Sequence, residues 1–121
     1  MSMETDIVTA LTASLGAAVQ GVCDGDLPQD ALRPWVTFNR IDTPRRQALG
    51  AGSPVISSKP RFQFDVWADT QASRDTVMAL LVPAVLALPH GVTLATQGAR
   101  KHPATGLWWA WLDAQVNHAG A

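Results

Sequence analysis

Chemistry needs side chains that titrate, attack or hold a metal, and this chain keeps few of them in useful company. Its one cysteine is Cys23, and its histidines are His90, His102 and His118. A thiol becomes a nucleophile when a base stands beside it in space. No spacing in the sequence supplies that base, and a lone cysteine after an apolar helix is more often a small buried hydrophobe. The histidines fall in a helix–strand turn, a hairpin turn and near the C-terminus, and all three read as exposed. No His-Glu-x-x-His pattern sets two of them on one helical face. Asp65 and Asp69 come nearest to a carboxylate pair. Asp69 is well placed to cap a helix. Asp65 shares a strand face with Arg61 and Gln63 and suits cross-strand or intersubunit contacts. Gly50-Ala51-Gly52 is too short for a phosphate loop and lacks a following helix pattern. The expectation is a protein that is not an enzyme, with no catalytic residue, no metal and no cofactor.

Two other clusters carry more information. Trp108, Trp109 and Trp111 crowd into four positions. Each indole buries a large area and its N–H usually needs a partner; aromatic residues are also enriched in interface hot spots. Core packing and a subunit interface both remain open. Arg45, Arg46 and Lys59 give the stretch from Thr43 to Pro60 a positive character. It is either a solvated loop or a contact for an acidic partner or passing DNA. Arg100 and Lys101 form a second basic pair at a turn and read as simply exposed.

Periodicity sketches the elements that must position these residues. Ile7, Val8, Leu11, Leu15, Ala18 and Val19 fit one helical face, with Thr5 or Asp6 as cap and Gly21 as stop. Residues Asp24 to Pro34, rich in proline and aspartate, form a loop. Trp35 to Ile41 is a strand with Trp35, Thr37 and Ile41 on one side and Val36 and Phe38 on the other. Thr43 to Pro60 has no strong period and contains two glycines and three prolines, so it is a long loop or hairpin arm. Arg61 to Trp67 alternates, with Phe62, Phe64 and Val66 pointing one way. A second helix follows, with Asp69, Thr70 or Ser73 as caps and Val77, Leu80, Leu81, Ala84, Val85 and Leu88 as its stripe. Pro83 removes a backbone hydrogen bond and is expected to kink or split it. Val92 to Gln97 is a strand, and Leu107 to His118 is the last one. Trp108, Ala110, Leu112, Ala114 and Val116 lie on one of its faces, with Leu107, Trp109 and Trp111 on the other. Both faces of its first half are apolar, so both call for cover.

The resulting fold class is α+β in the order α-β-β-α-β-β: a small, mostly antiparallel sheet of three or four strands with two helices on one face. The chain has 121 residues, enough for one domain. The apolar share is 47%, the charged share 16% and the formal net charge −1. That near-neutral balance disfavours a general nucleic-acid binder, which carries a basic excess. One cysteine excludes an intrachain disulfide and a thiolate zinc cluster. No run reaches the ~18 apolar residues of a membrane span. The acidic start, Met1 to Asp6, lacks the basic region of a secretory signal, so synthesis in the cytoplasm is expected.

Five landmarks together resemble a known family, the small phage tail completion proteins, also called tail terminators or tail-to-head joining proteins. They are a short N-terminal helix leading to Gly21-Val22-Cys23-Asp24 and Leu27-Pro28-Gln29; the strand start Arg33-Pro34-Trp35-Val36-Thr37-Phe38; the strand Arg61-Phe62-Gln63-Phe64-Asp65-Val66-Trp67-Ala68 with its alanine- and leucine-rich helix; the opening Thr105-Gly106-Leu107-Trp108; and the ending Val116-Asn117-His118. Each motif is short, and the order and spacing carry the likeness. This chain departs from the family in having no tyrosine and in the weight of its tryptophan cluster. The resemblance implies a non-enzymatic ring of copies, six in number, that ends the tail tube in the virion after assembly in the host bacterial cytoplasm. The implied partners are further copies of the chain, the tail tube protein, the head–tail connector and, transiently, DNA. It makes Arg45, Arg46, Lys59, Trp108, Trp109 and Trp111 candidates for subunit interfaces or the lumen. Another connector or minor tail protein is the near alternative, and a small α+β enzyme or binding module the distant one.

Overall fold

Helical periodicity and strand alternation produce two helices and five strands in the computed structural model, which describes residues 3–41, 60–88 and 91–116. The helices are α1, Met3–Leu15, and α2, Gln71–Leu86. The strands are β1, Gly21–Asp24; β2, Trp35–Ile41; β3, Arg61–Ala68; β4, Val92–Lys101; and β5, Trp108–Val116. They form one sheet in the order β1-β2-β3-β5-β4. β1 runs parallel to β2, and the other three ladders are antiparallel.

The α+β class holds, but the sheet is mixed and has five strands rather than three or four mostly antiparallel ones. The extra strand is β1. At four residues it is too short to show alternation, and it lies between an apolar helix and a proline-rich loop that mask it. Gly21 therefore starts a strand instead of stopping the helix. The helix gives way five residues earlier, at Gly16, whose φ of +52° suits a residue without Cβ; one turn of 3-10 helix, Gly16–Ala18, follows. β4 runs to Lys101, beyond the expected Gln97. An irregularity between Leu94 and Thr96 shifts its register by one residue, which obscures period-2 alternation. Pro83 does not split α2, which continues through it to Leu86. It stands in the last turn, where little helix remains to lose. The helix cap is Thr70, whose Oγ1 accepts from the Ser73 N–H at 3.1 Å, while Asp69 pairs with Arg33.

The core lies between the helices and one face of the sheet. Met3, Ile7, Leu11 and Leu15 of α1 and Val77, Leu81, Ala84 and Val85 of α2 meet Val36 and Phe38, Phe62, Phe64 and Val66, and Ala110, Leu112, Ala114 and Val116. The three phenylalanines are fully buried and in mutual contact, with centroids 5.7 to 6.3 Å apart. Each such side chain contributes roughly 1.5–3 kcal/mol on burial. Arg40 closes one end of this layer, its guanidinium 5.3 Å from the Phe62 ring and its Nε donating to Glu4 at 3.0 Å. Both helices use this face, so among the described residues the opposite face of the sheet has none.

Candidate assembly face

Alternation sends every second side chain of each strand to the helix-free side, and the register decides what meets there. Trp35 of β2 stands opposite Trp67 of β3, and Trp67 opposite Trp109 of β5. Gly21 of β1 and Arg100 of β4 complete the row at its two ends. The next row reads Cys23, Thr37, Asp65, Trp111 and Gly98 from β1 to β4. Four indoles, all half-buried, thus pave one end of the face.

The rings lie on the sheet and on one another. Trp67 and Trp109 stack at 5.7 Å with planes 7° apart. Trp109 and Trp111 are 4.8 Å apart. Trp35 covers Gly21, where an added Cβ would sit 2.4 Å from the ring, and Trp111 covers Gly98, where it would sit 2.3 Å away. Glycine is required at both places by space.

Three indole N–H groups donate along one repeating diagonal, each to the second row on the neighbouring strand nearer β1. Trp35 Nε1 donates to Cys23 Sγ at 3.4 Å, Trp67 Nε1 to Thr37 Oγ1 at 3.0 Å, and Trp109 Nε1 to Asp65 Oδ1 at 2.9 Å. These bonds fix ring orientation as well as satisfying each donor. Asp65 Oδ1 also accepts from Gln63 Nε2 at 2.8 Å. Burial pushes the Asp65 carboxyl above 3.8; the Gln63 and Trp109 donors pull it down, and the neighbouring Asp113 charge pushes it up again. Asp113 accepts from Thr96 Oγ1 at 3.0 Å and lies 3.7 Å from Arg61. His102, in the β4–β5 hairpin, sets its ring edge against both Trp67 and Trp109, at 5.4 and 5.3 Å. Arg100 lies 5.9 Å above Trp109.

The sulfur, carboxylate and imidazole on this face therefore hold rings in place. Cys23 is half-buried, with its Sγ engaged by Trp35 and within 3.6 Å of the Asp26 carbonyl. His102 is half-buried rather than exposed, and its Nδ1 meets Thr105. Asp65 and Asp69 do not pair with each other: one serves the indoles, the other Arg33. No group of three or more histidine, cysteine or acidic side chains among the described residues could hold a metal ion.

Trp109 and Trp111 join this face as the alternation of β5 predicts. Trp108 lies on the opposite side, at the margin of the helix layer, with the buried Arg74 at 5.4 Å and Lys101 at 5.5 Å over its ring. Arg100 and Lys101 are thus engaged with rings, one on each side. Arg45, Arg46 and Lys59 lie outside the described residues, as do His90 and His118. Trp35 and Trp67 belong to the face without having been named as interface candidates, and His102, weighed only as an exposed turn histidine, joins them. The outward phase of Trp35 was readable from its strand, but the pairing that aligns it with Trp67 and Trp109 is long-range and has no local signal.

The family model described as Tail completion protein gp17 matches residues 5–116. No curated protein matches the chain. Among solved structures, a chain in "Virion of native gene transfer agent (GTA) particle" has a TM-score of 0.63 at 18% identity, covering 97% of this chain and 96% of that one. At that identity the likeness is one of fold.

Proposed function

The chain belongs to the tail completion protein gp17 family, whose members are structural proteins of phage tails, and from that premise we propose that it acts in the virion tail as a ring subunit closing the tail tube and joining it to the head connector. The carrying observation is the indole row, Trp35, Trp67 and Trp109, on a sheet face that no helix among the described residues covers. Large aromatic side chains held rigid before contact lose little freedom on binding and supply most of the energy where they are buried. A face of that kind suits repeated contact between copies of one subunit. The bonds of Cys23, Asp65 and His102 to the indole layer support a non-enzymatic role, since each is occupied in holding a ring. The partners in this reading are further copies of the chain, six to a ring, the tail tube protein and the head connector, met in the host bacterial cytoplasm.

A strain producing the particle, deleted for this chain, tests the reading by electron microscopy. Headless tails are expected, with joining restored by the wild-type chain. Trp67→Ser leaves the helix-side core untouched and is expected to fold yet not restore joining. Tails that complete and join heads without the chain refute the tail role. Restoration by Trp67→Ser at wild-type level refutes the assignment of the indole face.

A further inference from the structure

A helix at a protein surface ordinarily turns a charged face to water, and a helix that is apolar all round is a buried one. α2 has the second composition in the first position. Its two charged residues, Arg74 and Asp75, stand near its start and pair with each other. From Thr76 to Leu86 every residue is uncharged. Val77, Leu81, Ala84 and Val85 face the core. Thr76, Ala79, Pro83 and Leu86 share the opposite side at three- and four-residue spacing and are exposed. Leu80, beside them, is 43% exposed and Leu86 50%.

We propose that this outer side of α2 docks on the indole face of a second copy, head to tail. The proposal rests on the reading of the chain as an assembling ring subunit and names the segment that covers the face. The two surfaces lie on opposite sides of the sheet, the helix layer on one and the indoles on the other. Contact between two unlike patches repeats from copy to copy and closes into a ring where the rotation returns, whereas an indole face meeting its own twin stops at a pair. Head-to-tail docking also gives each sheet a helix on both sides, one from its own chain and one from the neighbour. That is the cover an apolar strand such as β5 needs on both faces.

Dimensions and charge set the orientation. Trp35, Trp67, Trp109 and Arg100 stand in one row across β2, β3, β5 and β4. Three strand spacings make that row about 14 Å long, and Thr76 and Leu86 are about 15 Å apart along α2. The row that holds Trp111 lies about 7 Å away along the strands, within the ~10 Å width of a helix. A helix laid along the first row therefore covers all four indoles. Its direction follows from its ends. The last turn of α2 has no basic residue of its own to meet the negative end of the helix dipole. Arg100 is exposed at the β4 end of the row, and no carboxylate among the described residues pairs with it. Setting the neighbour's last turn there puts Leu86 beside Arg100 and Thr76 towards Trp35. Between these ends Asp65 and three indole N–H groups are bonded within the layer, so an uncharged helix side leaves none of them unpaired.

Purified tails carrying the chain with Cys23→Ser, Leu86→Cys and Arg100→Cys, treated with a short bismaleimide, provide the test. Within one chain the two positions lie on opposite sides of the sheet, so a link between them joins neighbours. Dimers and higher multiples are expected. Leu86→Cys alone and Arg100→Cys alone, each with Cys23→Ser, are expected to stay monomeric, because like patches do not meet. Tails that contain the paired variant but give no multiples overturn the proposal and leave the tail reading standing. Dimers from either cysteine alone, in the yield of the pair, overturn it in the same way. In a second arm, Leu86→Lys sets a second cation beside Arg100 and is expected to lower the copies per tail about fivefold. Adding Arg100→Glu is expected to restore them. Full copy number with Leu86→Lys, or no recovery in the double variant, overturns the docking. Tails that lack the wild-type chain overturn the tail reading and the proposal with it.

Discussion

Gly98→Ala isolates the packing of the indole layer from the rest of the fold. The added methyl would sit 2.3 Å from Trp111 Cζ2 and 2.7 Å from Cη2, well inside contact distance. The indole must swing off the strand or β4 must move. Overpacking of this kind costs about 1–3 kcal/mol. Against it stands the ordinary gain of alanine over glycine in a strand, roughly 0.5–1 kcal/mol. The net expectation is a loss of about 1 kcal/mol, rising to about 2 if the Trp109–Trp111 contact at 4.8 Å is also lost. Urea unfolding followed by far-UV circular dichroism measures it. The decisive control is Trp111→Ala. Without the ring there is nothing to strike, so Gly98→Ala in that background should be neutral or stabilising by up to about 0.5–1 kcal/mol. The coupling between the two sites should therefore be at least about 1 kcal/mol. Equal costs in both backgrounds would refute the reasoning, because the glycine would then be needed for something other than the indole.

Asp65→Asn keeps an acceptor oxygen for the Trp109 and Gln63 donors and removes the buried charge. Because the carboxyl titrates above 3.8 in the folded chain, the folded state binds its proton more tightly than the unfolded one. Its contribution to stability is full below 3.8 and is lost as pH rises through the raised value. The advantage of Asn over Asp should accordingly grow from acid towards neutrality in urea titrations, and a difference that stays flat with pH would contradict the burial argument. At the start of α2, Thr70→Ala should cost about 1 kcal/mol for the lost cap. Asp69→Ala should cost less, since its pair with Arg33 is exposed; thermal unfolding of the two variants, with the reverse order, would return the cap to Asp69.

Local pattern revealed the helix stripes, the phase of β2, β3 and β5, and the placing of Trp109 and Trp111 on one face with Trp108 on the other. These features depend on 3.6 or 2-residue periods, which neighbouring side chains disclose. Three things escaped. β1 is four residues long and pairs in parallel across a loop, so neither its length nor its partner shows in its own sequence. The shift at Leu94 to Thr96 breaks the alternation that would have extended β4. The alignment of Trp35, Trp67 and Trp109 depends on two long-range ladders. The glycines that receive the indoles, Gly21 and Gly98, are unremarkable in sequence because their role is to be small under a ring supplied by another strand.

The two sides of the sheet solve opposite problems. On the helix side, apolar groups are packed to zero exposure around Phe38, Phe62 and Phe64. On the other side, four indoles are only half-buried, yet three of their N–H groups and the carboxylate of Asp65 are already satisfied within the layer. A partner arriving on that face therefore has little polar surface to dehydrate and few rings to immobilise, which are the main charges against binding energy. The same internal bonds keep the isolated chain from exposing loose aromatic groups. Such a surface can wait in solution and still bind firmly once neighbouring copies present themselves. This is the behaviour that the proposed role, closing a finished tube, would ask of a subunit.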